Sequence, residues 1–371
     1  MRFILLSLLL ASCCLWEAVH TCASIEQRYK FPNSNVYVRL RRGDKLQYEL
    51  MKGEKSLQTV TFDNFDSSAN LVKTSSGSYQ LTDGQSTVEF TLLLKRSVQD
   101  VQQRLKRLQD EDGIDSFKFD AGETSWLPSD PVIQASSSMV TPLQAVGDYV
   151  RTVAAFGDMV EVRSAQNTQD QPIFVRIVDK DSEWGWNNGL LTLISSMLQM
   201  NLNGYPFVLP DMIGGNGYQE KPPTKELFLR WLQANVFMPA LQFSFVPWNF
   251  DDEAIAISKN FTALHATYTP YIMKLFKRAV DSGEPVNLPL WWIAPTDEVA
   301  QSIYDEFLLG EDIIAAPVVV EGATKRDIYL PEGKWKDGNS DQVYTGPTWV
   351  MDYDAPLDTL PYFMRVGFTL E

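Results

Sequence analysis

Hydrophobic and polar positions alternate in short runs over residues 26–94, in VYVRLRRG, KLQYELMKG, SLQTVTF, GSYQLTDG and STVEFTLLL, with Gly, Asp and Asn between them. A period of two between turn residues predicts short paired strands, here a β-sandwich or part of one. Near Lys95 the period lengthens to that of a helix, which runs through about Gln109 and stops at DEDG. Strand and helix patterns then succeed each other: strand 114–120, helix about 141–156, strand 159–163, helix about 188–201, strand 205–210, helix 225–235, strand 239–245, helices through 252–280, and strand 286–293. That succession predicts βα units on a parallel sheet of five strands. A helix at 297–304 gives way to β-rich text, FLLGEDIIAAPVVV, KRDIYLPEG, VYTG and YFMRVG, whose Pro and Gly spacing predicts a C-terminal sheet domain.

The first residues change the picture at one end. MRFILLSLLLASCCLWEAVHTCAS places one Arg before an apolar run and small residues at Thr21 and Ala23. This predicts a secretory signal peptide over residues 1–23, the run being short for a membrane span of about twenty residues. An uncleaved anchor is the alternative, and only it would attach the chain to a membrane. Cys13, Cys14 and Cys22 all lie inside this segment, so the mature chain would hold no disulfide and no thiolate site. The sequon Asn260-Phe261-Thr262 is a candidate glycosylation site in a secreted or lumenal protein.

With 371 residues, 44% hydrophobic and 21% charged, the chain is long enough for several packed units and too apolar for wholesale disorder. Asp plus Glu outnumber Lys plus Arg by 47 to 32, a formal charge of −15 that repels phosphate backbones and excludes nucleic acid as a general partner. The one basic stretch, KRSVQDVQQRLKR at 95–107, reads as a helix surface.

Candidate chemistry falls at the ends of predicted strands, where a helix-and-strand scaffold presents catalytic groups. Asp120 ends FKFD, Asp179 and Asp181 follow PIFVRIVDKD, and Asp211 ends YPFVLPD. Asp297 reads instead as a helix cap. Trp126, Trp184, Trp186, Tyr205, Phe207, Trp248, Trp291 and Trp292 supply flat faces on which a pyranose ring could stack, although each alone is as readily a packing residue. Paired carboxylates point to glycoside hydrolysis. The two histidines, His20 and His265, share no ligand spacing, so no zinc is expected, and no cofactor is called for.

Several motifs then occur in order: KFDAGE at 118–123, VRSAQ at 162–166, DKDSEWGW at 179–186, PDMIGG at 210–215, LFLRWLQANVFMPA at 227–240, PLWWIAPTDE at 289–298, and FLLGEDIIAAPVVVEGATKRDIYLPEGKW at 307–335. Together they resemble the catalytic half and C-terminal sheet of glycoside hydrolase family 31, in an animal branch of it. The resemblance implies an α/β fold: an incomplete TIM barrel of strands four to eight over 95–296, with the β-sandwich fragment of 24–94 before it and a C-terminal β domain over 297–371. It implies Asp120 as nucleophile and Asp179, five residues before Trp184, as general acid/base, with Asp181 as the fallback acid. Arg163, Asp211, Trp184, Lys118 and Trp248 complete the implied substrate-binding set. Double displacement would follow, on an oligosaccharide or glycoconjugate ending in an α-linked sugar. Asp179 would need a raised pKa, with Phe119 and Trp184 as desolvating neighbours.

Two departures from the family pattern stand out. Gln242 and Ser244 occupy the places after Pro239 where most of the family carries Arg and His, which points from glucosidase towards galactosidase-like specificity. FTLLLKRSVQDVQQRLKRLQDEDGIDSFKFD leaves room for one helix where the family has three barrel strands, so a truncated product of a longer enzyme is expected. A catalytically silent carbohydrate- or anion-binding homologue is the alternative.

Overall fold

A computed structural model of the chain describes residues 98–127 and 142–370, together with short strand segments before residue 91. The expected cleavage site near Ala23 lies outside the described residues. Two compact units emerge, one of residues 9–107 and one of residues 1–8 with 108–371. No helix among the described residues is long and apolar enough to cross a membrane.

In the first unit the alternating runs form antiparallel meanders. Glu26–Lys30, Val36–Arg42, Leu46–Lys52 and Lys55–Phe62 pair in sequence order, and Asn70–Lys73, Tyr79–Thr82 and Thr87–Phe90 form a second sheet. Five of these seven strands fall on the named runs; Glu26–Lys30 and Asn70–Lys73 lie outside them.

The second unit holds the parallel sheet. Ser116–Phe119, Glu161–Val162, Phe174–Arg176 and Val208–Leu209 lie side by side, and the backbone of Phe3–Leu6 pairs in parallel along the outer side of Ser116–Phe119. Helices Pro142–Ala154, Leu190–Leu202 and Lys225–Asn235 follow within the stretches that the 3.6 period predicts. The strand order follows the chain from Ser116 to Leu209, the sequential arrangement of a (β/α) barrel.

Two predicted strands need correction, and one strand is additional. Phe174–Arg176 is a strand within the PIFVRIVD run beyond the five expected; at three residues it is too short for alternation to register. Residues 239–245 form no strand and make a single parallel bridge, Ile213 to Phe243. The predicted strand at 286–293 shrinks to Asn287–Leu288 and pairs antiparallel with Phe307–Leu309, so it joins the C-terminal sheet and not the barrel. With Phe174–Arg176 gained and 239–245 and 286–293 lost, the described parallel sheet holds four strands against the five expected, besides Phe3–Leu6. Pro289 explains part of this: it has no N–H for a ladder, and a 3-10 turn at Leu290–Trp292 follows it.

The C-terminal sheet is antiparallel and six-stranded, in the order Asn287–Leu288, Phe307–Leu309, Ile313–Ala315, Tyr362–Arg365, Lys325–Asp337, Val343–Asp354. One face shares a core with the parallel layer's helices: Phe237, Tyr268 and Tyr362 stack within 6.2 Å of one another beside Trp231, Phe307 and Ile313. The long helix Asp252–Ser282 carries Pro270 inside it and lends Tyr268, Tyr271 and Phe276 to that core. Arg230 ties the same elements together. Buried to 1% exposure on Lys225–Asn235, it donates to the backbone carbonyls of Ala323, Ala355 and Pro356 at 2.7–3.3 Å.

Candidate active site

The site begins with the alternation of Ser116–Phe119. Phe117 and Phe119 point to one face and pack with Phe156 at ring separations of 5.5–5.9 Å. The residues between them, and Asp120 after them, face the other way. Phe119 therefore lies off the face that carries Lys118 and Asp120, and is not the desolvating neighbour expected of it. The chain leaves the strand through Ala121 and Gly122 at φ of 64° and 98°. A β-carbon on Gly122 would fall 2.4 Å from the Tyr149 ring and 2.6 Å from Ser164 Oγ, so only glycine fits where the turn passes this close. Tyr149 donates to the Asp120 carbonyl at 3.0 Å and fixes the turn from behind.

On that face a polar row runs across the sheet. Lys118 sits opposite Glu161 in the strand register and meets it at 3.3 Å. Gln242 accepts from Lys118 at 3.3 Å and donates to Glu161 at 3.1 Å, so its amide bridges a charged pair. Burial raises the Glu161 pKa above the usual carboxylate range, against the pull of Lys118 and Arg176. Ser244 is exposed on the following turn.

Two arginines organise the carboxylates. Arg163 Nη1 lies 3.0 Å from Asp120 Oδ1 and 3.2 Å from Asp179 Oδ1, while Glu123 takes its other edge at 2.6 and 3.3 Å. Arg176, 2% exposed, reaches Asp179 at 2.7 Å, Asp211 at 2.6 Å, and Asp120 and Glu161 at 3.5 Å. Burial works against the Arg163 charge, yet Glu123, Asp179 and Asp120 hold its pKa above the ordinary value.

Asp179 lies three residues past the end of the Phe174–Arg176 strand. Burial pushes its carboxyl up, but hydrogen bonds from Tyr218 and Arg176 and the charges of both arginines outweigh it and hold the pKa below the usual range. The raised value expected of a resting acid is thus overturned, because the neighbours are cations and donors and the expected apolar walls lie elsewhere. Trp184 is one such wall, and it packs against the core instead. Asp181 stands apart from the arginines: it accepts from Asn188 at 3.0 Å and faces a polar cleft with Ser182, Glu183, Asn187, Tyr218, Gln219 and Lys221.

Asp211 has no exposed surface. Its oxygens accept from Arg176 at 2.6 Å, from the Lys180 backbone N–H at 2.6 Å and from Asn216 at 2.9 Å, so it secures the loops from behind. Trp248 rides on the Pro247–Asn249 turn and is 69% exposed. Tyr205 and Phe207 are packing residues, Phe207 lying 4.8 Å from Phe276. His265 is half-buried with Nδ1 2.8 Å from the Val236 carbonyl, and burial lowers its pKa. Asn260 is exposed in mid-helix, and the Thr262 hydroxyl is occupied by the Ser258 and Lys259 carbonyls.

The site loops share a backbone signature. Ala121, Asn188, Asp211, Gln219 and Glu220, none of them glycine, have φ between 58° and 64°. Left-handed backbone at non-glycine residues costs energy and is retained where the surroundings enforce it, which is common at functional sites. Arg176 and Tyr218 escaped the sequence reading altogether. An arginine inside the apolar run PIFVRIV was the available signal for the first; nothing local marked the second.

The comparisons with known proteins bear on the same residues. Residues 178–275 match the TIM-barrel domain of glycosyl hydrolase family 31, and residues 283–370 match the family's C-terminal domain. The chain belongs to glycoside hydrolase family 31. Among family 31 relatives, the myogenesis-regulating glycosidase of Mus musculus is 41% identical over 271 residues, covering 71% of this chain and 38% of that protein. The SITS-binding protein of Tetronarce californica is 38% identical over 226 residues, 59% of this chain and 32% of that protein. The chain thus spans less than two fifths of either relative. A family 31 sulfoquinovosidase from E. rectale, solved with an aza-sugar inhibitor, superposes with a TM-score of 0.64 at 23% identity, over 79% of this chain and 46% of that one. A family 31 α-xylosidase from a soil metagenome, complexed with xylose, gives 0.60 at 25% identity, over 73% and 46%. Asp179 lies inside the family-matched stretch and Asp120 lies before it.

Proposed function

We propose that the chain carries the catalytic half of a retaining α-glycosidase, with Asp120 as nucleophile and Asp179 as acid/base. One observation supports this above the others: a single guanidinium nitrogen of Arg163 touches both carboxylates, and a nitrogen of Arg176 touches both again. Shared contacts of that length keep the two facing Oδ1 atoms within about 6 Å of each other, which accommodates the roughly 5–5.5 Å spacing of retaining pairs.

In the first half-reaction Asp120 forms a bond to the anomeric carbon as the glycosidic bond breaks, and Asp179 gives its proton to the departing oxygen. In the second, Asp179 takes a proton from water as the water oxygen displaces Asp120. Glu123 and Asp211 keep the arginines in place, and Lys118 and Trp248 are proposed to contact the sugar. Gln242, committed to Lys118 and Glu161, and Ser244 support a galactosidase-like preference over a glucosidase-like one.

The test is hydrolysis of aryl α-galactosides and α-glucosides, with the product anomer read by NMR. Asp120→Asn is expected to abolish turnover without unfolding the chain. Asp179→Ala is expected to spare substrates with good leaving groups and lose those with poor ones; equal loss on both would remove Asp179 as the acid. Binding of the sugar by both wild type and Asp120→Asn, with turnover by neither, would instead establish the non-hydrolytic reading, for which the cations Lys118, Arg163 and Arg176 provide anion-holding groups.

A further inference from the structure

The acid/base assignment leaves a chemical difficulty, and the loop facing Asp179 resolves it. A general acid must take up a proton, yet Arg163 and Arg176 favour the carboxylate at all times, and Arg176 is buried in strand with no room to withdraw. The third partner is different in kind. Tyr218 donates its hydroxyl to Asp179 Oδ2 and is 48% exposed.

Its placement is enforced from both sides. Asn216 donates through its side chain to the Lys180 carbonyl and to Asp211, both at 2.9 Å. The Gly217 N–H donates to Ser182 Oγ at 2.9 Å, and that hydroxyl donates on to the Gly214 carbonyl at 2.6 Å. Gly217, Gln219 and Glu220, which flank the tyrosine, all lie in the left-handed region at φ of 63°, 58° and 60°. Two non-glycine residues held there point to a conformation maintained by its contacts and not by local preference. The far side of the tyrosine lines a polar cleft of about 290 Å3 shared with Asp181, Ser182, Glu183, Asn187 and Lys221.

We propose that Tyr218 is a positioning residue that governs when Asp179 carries its proton. While the phenol is seated, Asp179 is a carboxylate, the form that activates water in the second half-reaction. When the glycosidic oxygen of the bound substrate, an acceptor with no hydrogen of its own, takes the place of the phenol, Asp179 Oδ2 holds a solvent-derived proton and passes it to that oxygen as the bond to the anomeric carbon breaks. The tyrosine keeps its own proton throughout, since burial and Asp179 both raise its pKa. The other charged groups around Asp179, namely Arg163, Arg176, Asp120, Asp211 and Asp181, remain in place in both states. This inference rests on the glycosidase reading for its purpose, but the grip of the tyrosine is measurable without turnover.

The experiment is a titration of the 13C-labelled aspartate carboxyls in the full chain, with the Asp179 resonance assigned by its loss in Asp179→Asn. Tyr218→Phe keeps the ring at a half-exposed position, so folding is not at stake. Its Asp179 midpoint is expected about one pH unit above that of the wild type, because a donor to the charged form is lost. Where turnover is present, the alkaline limb of kcat/KM should move up by the same amount, and Tyr218→His, which restores a donor, should bring it back. Coincident midpoints in wild type and Tyr218→Phe would overturn the proposal. A shifted midpoint in a chain with no turnover would uphold the tyrosine's grip while removing the glycosidase reading.

Discussion

Arg176 does more for this site than any residue the sequence singled out. It is one side chain in the middle of an apolar strand, and it touches four carboxylates, those of Asp120, Asp179, Asp211 and Glu161. A planar guanidinium with five donors suits such a position, whereas an ammonium could not span it. Arg176→Leu would leave Asp211 buried with neutral donors only and Glu161 with Lys118 as its one cation, and removal of one partner from a buried pair typically costs about 3–5 kcal/mol. Chemical denaturation should show a loss of that size. Arg176→Lys is expected to recover part of the stability while leaving Asp120 and Asp179 misplaced, so activity should stay depressed. The carboxylates themselves were legible because strand ends in βα scaffolds are where acids do chemistry, and Asp120 and Asp179 fall there. The arginine that holds them was not, since period-two reasoning treats a lone charge within a buried run as an interruption.

At the level of elements, legibility followed length. Helices of eleven residues or more carry several turns of periodic signal, and Pro142–Ala154, Leu190–Leu202 and Lys225–Asn235 lie where the pattern put them. Strands of two or three residues carry almost none, which is why Phe174–Arg176 was passed over and 239–245 over-read. Pairing partners are a non-local fact, so the transfer of Asn287–Leu288 to the C-terminal sheet could not be read from its own text. Glu306, just before Phe307–Leu309, shows how an element boundary can store a titration. Burial pushes its pKa up to about 8, one oxygen accepts from the Tyr329 N–H at 2.9 Å, and the other has no partner. The fold binds this proton more tightly than the unfolded chain does, so stability falls as pH rises from the unfolded value near 4.3 towards the folded one and levels off beyond it. Glu306→Gln should erase that slope: equal Tm to wild type at pH 4 and a higher Tm at pH 8.5, measured by thermal unfolding.

For the molecule as a whole, the decisive fact is that the parallel layer and the C-terminal sheet share one core. Trp231 and Phe228 from one and Phe307, Ile313 and Tyr362 from the other belong to a single buried cluster. Arg230 closes the seam with hydrogen bonds to the carbonyls of residues 323, 355 and 356. Arg230→Ala would strand those carbonyls in the interior and is expected to cost on the order of 3 kcal/mol, since bonds to a charged donor contribute about 1.5–3 kcal/mol each and some are replaced by water. A single cooperative transition at lower denaturant is the expected record; two separated transitions would mean that the halves fold independently. The seam has a historical corollary. The family's two domains abut near residue 280 as though they were interchangeable modules, yet an arginine on one reads the main-chain path of the other, and main-chain carbonyls cannot be substituted away. Recombination at that junction is expected to succeed only with a partner whose main chain at 323 and 355–356 follows the same course.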